Sequence, residues 1–133
     1  MYSVTKRIDF CYGHRLLDYG GVCKHPHGHN AVAEIEVHSG ELDHRCMVCD
    51  FSDIKAIVKG WIDEAIDHKM ILRRDDPLVK PLQELGEPLF LVDANPTVEH
   101  LARIIFDFAR SRDLPVKSVR VWETPTSFAT YGE

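Results

Sequence analysis

His27-Gly28-His29-Asn30-Ala31-Val32-Ala33-Glu34-Ile35-Glu36-Val37-His38 sets apolar Ala31, Ala33, Ile35 and Val37 against polar Glu34, Glu36 and His38 at every second position. A period of two is the signature of a strand with one buried face. Upstream, Tyr2, Val4, Ile8 and Phe10 stand opposite Ser3, Thr5, Arg7 and Asp9, with Lys6 the exception, so Tyr2 to Phe10 reads as a second half-buried strand. The stretch between them, Cys11 to Pro26, is irregular and carries glycines.

Downstream, the apolar run Cys46-Met47-Val48-Cys49 reads as a third short strand leading into a helix that begins near Asp50 or Ser52. There Ile54, Ile57, Val58, Trp61, Ile62, Ala65 and Ile66 follow the three-and-four spacing of one apolar stripe. Arg73 to Glu87, rich in Pro, Gly and charge, reads as an exposed connection ending in the apolar stretch Leu89 to Val92. For a second helix Asn95 can cap and Pro96 suits the first position, with Val98, Leu101, Ala102, Ile105, Phe108 and Ala109 as the buried face and Pro115 beyond its end. Val116 to Thr124 alternates again, and a short piece, Ser127 to Tyr131, closes the chain. This order predicts an α+β domain over residues 1–133, an antiparallel four-stranded sheet with two helices on one face. The open face and unpaired edges predict a homo-oligomer.

The size of 133 residues and 44% apolar content fit one domain with one core. A formal charge of -5 excludes a broad polyanion-binding surface, so no nucleic-acid partner is expected. The first residues carry charge every few positions, and no apolar stretch approaches the roughly 18 residues that cross a bilayer. The expectation is a cytoplasmic protein without membrane contact, whose four cysteines are reduced thiols.

Three of the eight histidines fall at His25, His27 and His29. On a strand, His27 and His29 project to one face with Gly28 giving them room, so both imidazoles can converge on one ion. A catalytic zinc takes three protein ligands and keeps a fourth position open, which asks for a third histidine, His14 or His25. Cys23 shares the parity of the three, so a structural site containing it stays open on residues alone. Cys46 and Cys49 have the spacing of half a zinc knuckle but no second pair, and read as strand cysteines packed in the core. His38 and His44 read as surface histidines.

Taken in order, several segments resemble the family of 6-pyruvoyltetrahydropterin synthase and 6-carboxytetrahydropterin synthase over nearly the whole chain. These are Phe10-Cys11-Tyr12-Gly13-His14-Arg15-Leu16, Cys23 followed by His27-Gly28-His29, Cys49-Asp50-Phe51-Ser52-Asp53-Ile54-Lys55, Ile66-Asp67-His68, Asn95-Pro96-Thr97-Val98-Glu99 and Trp122-Glu123-Thr124. The resemblance implies the tunnelling fold, in which sheets of several subunits close into a barrel, here a homohexamer built as a dimer of trimers with active sites between subunits. It implies zinc on His14, His27 and His29, with His25 outside. It further implies Cys23 as catalytic base, Asp67 and His68 as a proton relay, and Glu123 and Thr97 as contacts to a pterin triphosphate. Without it, Asp67-His68 is a solvated helix end and Glu123 a surface residue.

The implied reaction converts 7,8-dihydroneopterin triphosphate to 6-carboxytetrahydropterin, releasing acetaldehyde and triphosphate, on the way to queuosine and other deazapurines. The three residues between Cys23 and His27 favour this over the 6-pyruvoyl product, and an intact Cys23 and Asp67-His68 disfavour a zinc- and pterin-binding protein without turnover. Cys46, Cys49, Ile66, His100 and the long Arg73 to Pro88 connection depart from the family pattern.

Overall fold

The computed structural model describes residues 1–133. Strands β1 (Tyr2–His14) and β2 (His27–Ser39) pair antiparallel along their whole lengths, from Tyr2 opposite Ser39 to His14 opposite His27. Alternation runs as expected: Ile8, Phe10, Tyr12 and His14 of β1 and Ala31, Ala33, Ile35 and Val37 of β2 are buried on one face. β1 extends past Phe10 to His14 because its backbone stays paired with β2.

β3 (Lys69–Arg73) lies parallel beside β1, and β4 (Leu89–Val92) parallel beside β3. On the other side β5 (Val116–Thr124) pairs antiparallel with β2, and β6 (Ser127–Gly132) with β5. The α+β class holds, but the sheet is mixed and has six strands in the order β4-β3-β1-β2-β5-β6, where four antiparallel strands were expected. The parallel pair escaped the sequence because Ile71 and Leu72 are both fully buried, so consecutive side chains are covered and no alternation marks the strand.

Cys46-Met47-Val48-Cys49 is a turn, not a strand. The Asp43 carboxylate accepts from the backbone N–H of Arg45 (2.8 Å) and of Met47 (3.0 Å), and Cys46 sits at φ 61°. Cys46 is therefore exposed and Cys49 half-buried, where both were expected in the core.

The first helical rod begins as read, with Asp50 accepting from Ser52 N at 2.8 Å. It comprises α1 (Phe51–Ile54), a π turn (Lys55–Lys59) and α2 (Gly60–Ala65), and Ile54, Val58, Ile62 and Ile66 form its fully buried stripe. The connection after β3 contains a short helix, α3 (Val79–Glu84). The last helix, α4 (Val98–Ser111), buries Leu101, Ala102, Ile105, Phe106 and Ala109. Phe108, expected in that face, is partly exposed and stacks on Trp61 at 4.3 Å between centroids. Asn95 does not cap α4; Thr97 does, accepting from His100 N at 3.2 Å.

The buried side chains of sheet and helices join in one core, and the opposite sheet face carries Thr5, Arg7 and Asp9 in solvent. No helix is long and apolar enough to cross a membrane. Ile35 is fully buried on the central strand β2. Ile35→Ala should lower unfolding free energy by about 2–5 kcal/mol, measured as a reduced denaturant midpoint at unchanged m-value.

Candidate functional site

The register that places His14 opposite His27 brings His29, two residues along the same face, to the same point. Ring centroids lie 4.5 Å apart for His14 and His27 and 5.0 Å apart for the other two pairs, with steep angles between ring planes. Nδ1 of His14 lies 2.7 Å from the Pro96 carbonyl, and Nδ1 of His27 lies 2.7 Å from the His25 carbonyl. A carbonyl can only accept, so both protons sit on Nδ1 and both Nε2 atoms are left to face the centre. Such carbonyl support of a ligating imidazole fixes its tautomer and raises its basicity as a ligand.

Burial pushes His14 below the ordinary histidine range; the Pro96 carbonyl pulls it back in part, and His27 and His29 push it down further. Burial also lowers His29, against the opposing pull of Glu123. Neutral imidazoles, the form that binds metal, are thereby favoured. Glu123 Oε1 lies 3.1 Å from His29 Nε2 and 3.4 Å from His14 Nε2. His14, His27, His29 and Glu123 thus form a donor group, all ligand atoms within 4.8 Å of one another, that can hold a metal ion. Its third histidine is His14; His25 contributes only its carbonyl. That the Glu123 carboxylate joins this group was not foreseen: it lies on β5, whose place beside β2 no local pattern reveals.

The Asn95-Pro96-Thr97 segment supports the site in three ways. Asn95 clamps the loop after β1, accepting from Leu17 N (3.0 Å) and donating to Leu17 O (2.8 Å). Pro96 orients His14, and Thr97, expected at the substrate, uses its hydroxyl as the acceptor that starts α4. Beside His14, Arg15 donates to both oxygens of Asp76, through Nε at 2.8 Å. Asp76 is only 3% exposed; burial pushes its carboxyl up, but Arg15 and the Leu78 N–H outweigh this and hold it below the usual range. Nothing in the charged Arg73 to Glu87 stretch, read as an exposed connection, signalled that Asp76 is buried in an ion pair.

Asp67 and His68 lie elsewhere. Asp67 accepts from Cys11 N at 2.9 Å and from His68 Nδ1 at 2.7 Å. Burial pushes the Asp67 carboxyl up, and the Cys11 N–H and His68 together hold it below the ordinary value. His68 adopts φ 60°, a left-handed conformation fixed by its N–H donating to Cys11 O at 2.8 Å. This costs less for His than for branched residues. Cys11 alternates with Tyr12 and His14, so its thiol, which neighbours Asp67 and His68, points to the open sheet face. There an open cleft of about 700 Å³ is lined by Cys11, Gly13, Asn30, His68, Met70 and Pro88 among others. Cys23 lies on a 3-10 turn (Val22–Lys24), its carbonyl accepting from Leu16 N at 2.9 Å. Within one chain, then, the histidines and Glu123 converge, Asp67 and His68 pair on the opposite face, and the Cys23 thiol stands outside both groups.

The family model described as 6-pyruvoyl tetrahydropterin synthase matches residues 3–133. The chain is 37% identical to a 6-carboxy-5,6,7,8-tetrahydropterin synthase of Haemophilus influenzae over the full length of both proteins. It is 37% identical to the enzyme of that name from Rickettsia conorii, covering 96% of this chain and 98% of the relative. Among solved structures, an uncharacterized protein from Wolinella succinogenes superposes with TM-score 0.87 at 30% identity, covering 99% of this chain and 98% of the other. The 6-pyruvoyl tetrahydropterin synthase of Caenorhabditis elegans, 21% identical, superposes with TM-score 0.75 over 99% of this chain and 95% of its own, which shows a shared fold.

Removing one imidazole should cost more than the roughly 10–100-fold in metal affinity that loss of a supporting group costs. His27→Ala should fail to retain a divalent ion through gel filtration while the wild-type chain retains one, as read by elemental analysis. Equal retention would place the metal elsewhere.

Proposed function

Because the chain belongs to the 6-pyruvoyl tetrahydropterin synthase family, we propose that it is a 6-carboxy-5,6,7,8-tetrahydropterin synthase acting on 7,8-dihydroneopterin triphosphate. The observation that carries the reading is the convergence of His14, His27 and His29, with His14 and His27 held by backbone carbonyls so that Nε2 faces inward. Three imidazoles suit zinc and leave it an open position. Bound there, zinc would act as a Lewis acid toward the oxygens of the substrate side chain and make adjacent protons easier to remove.

The chain's own residues would do the rest. Cys23 takes a proton from the side chain, and His68, oriented by Asp67 through Nδ1, offers Nε2 as the second proton carrier. Glu123 anchors the ring: the pyrimidine edge presents an N–H and an exocyclic amine side by side, which a carboxylate accepts through two oxygens. Ligation requires imidazoles with bare Nε2 atoms, so Glu123 then has no imidazole proton to accept and both oxygens are available to the pterin.

Carboxytetrahydropterin and acetaldehyde together are an isomer of the dephosphorylated substrate. Water replaces the triphosphate oxygen, the ring gains the two hydrogens that the side chain loses, and no external reductant enters.

His68 and the histidine cluster lie on opposite sheet faces, which supports a site completed between copies. The open face of the six-stranded sheet and its β4 and β6 edges suit closure into a homohexamer, a dimer of trimers.

Cys23→Ala should keep its metal and its pterin affinity but lose turnover by about 10²–10⁴-fold, the usual worth of a positioned base. Loss of zinc in that variant would make Cys23 a ligand. With wild-type protein, dihydroneopterin triphosphate and no added reductant, trapped acetaldehyde should match carboxylated tetrahydropterin mole for mole. A 6-pyruvoyl product without acetaldehyde would overturn the reaction assigned.

A further inference from the structure

Tyr12 lies between Phe10 and His14 on the helix-facing side of β1 and is 3% exposed. Its hydroxyl is the one buried side-chain nitrogen or oxygen without a hydrogen-bond partner. A buried hydroxyl left unpaired bears its full desolvation penalty, and such groups in folded proteins call for a specific reason. Packing supplies none. The ring stacks on Phe10 at 5.7 Å between centroids, where a second phenylalanine would fill the same space without the polar atom.

The neighbours indicate what the hydroxyl is for. Tyr12 is paired in register with His29, its ring 5.7 Å from that imidazole and 5.0 Å edge-on from His14. On the other side of His29, Glu123 stands 3.1 Å from Nε2. Tyr12 on β1 and Glu123 on β5 therefore flank the same histidine of β2. Of the nearby imidazole nitrogens, Nδ1 of His14 is engaged with Pro96 and Nε2 of His29 with His14 and Glu123. The pterin edge presents amine, N–H and ring carbonyl in a row, that is donor, donor, acceptor. A carboxylate satisfies the two donors and leaves the carbonyl in need of a donor, which a phenol supplies at neutral pH.

We propose that Tyr12 is a further substrate-binding residue, its hydroxyl donating to the ring carbonyl of the pterin whose neighbouring N–H groups Glu123 accepts. The assignment rests on the pterin reading above, and it makes a prediction that a structural hydroxyl would not. A hydroxyl with no partner in the free protein has no bond to lose, so its removal should harm binding and spare stability.

The test compares wild-type protein with Tyr12→Phe, both zinc-loaded, using 7,8-dihydroneopterin, which has no triphosphate to lose. The variant should melt at the same temperature or higher without ligand and hold the same zinc. Its Kd by calorimetry should rise roughly three- to tenfold, the worth of one hydrogen bond. A variant that melts lower or fails to fold overturns the proposal, since the hydroxyl was then satisfied within the fold. An unchanged Kd overturns it as well, while wild-type binding keeps the pterin reading intact. If the wild-type protein binds no dihydroneopterin, the pterin reading falls and the Tyr12 assignment with it.

Discussion

The antiparallel register of β1 and β2, with His14 facing His27 across the ladder, constrains both the core and the site. Side chains alternate with a period of two, so a slip of one residue would turn Ile8, Phe10 and Tyr12 out to solvent and carry His14 away from His27 and His29. The register is held by the apolar face itself: Ala33, Ile35 and Val37 of β2 are fully buried, and a one-residue slip would expose them. The burial that stabilises the sheet therefore also places the donor group, and the site needs no separate device to bring two strands into line.

Aligning three imidazoles is not the same as fixing their tautomers. That depends on backbone carbonyls from elsewhere: His25 for His27, and Pro96, far along the chain, for His14. The Pro96 contact ties the site to the start of α4, because the adjacent Thr97 caps that helix and Asn95 grips the loop that leaves β1. A shift at the head of α4 would be felt at His14 as a change in ring orientation.

What the sequence disclosed divides along physical lines. The faces of β1 and β2, the stripe Ile54 to Ile66 and the pairing of His27 with His29 were legible because each rests on local periodicity. β3 was not, since Ile71 and Leu72 are both buried and leave no alternation. Cys46 to Val48 looked like a strand on apolar content, yet Asp43 closes a turn there through two backbone bonds. Asn95 looked like a cap by residue type, but its side chain is committed to Leu17 and Thr97 takes the role. The resemblance to a family selected His14 over His25, which residue spacing alone left undecided. The placing of Glu123 beside the histidines required the β2–β5 pairing, a long-range contact that no local pattern encodes.

The histidines stand apart from Asp67 and His68. Cys11 offers its backbone N–H to Asp67 and its carbonyl to the His68 N–H, so the Asp67–His68 pair is anchored to the same strand that carries His14 three residues on. Yet alternation sends the Cys11 and His14 side chains to opposite faces of the sheet. Within one chain the histidine–Glu123 group and the Asp67–His68 pair are therefore two separate clusters. On the proposed reading, the open sheet face is what another copy must meet, and assembly becomes a condition of catalysis in addition to one of stability. The left-handed backbone at His68 and the 79% exposure of its side chain are consistent with this. On that reading, a ring held by Asp67 at Nδ1 and otherwise exposed is oriented for a partner outside its own chain.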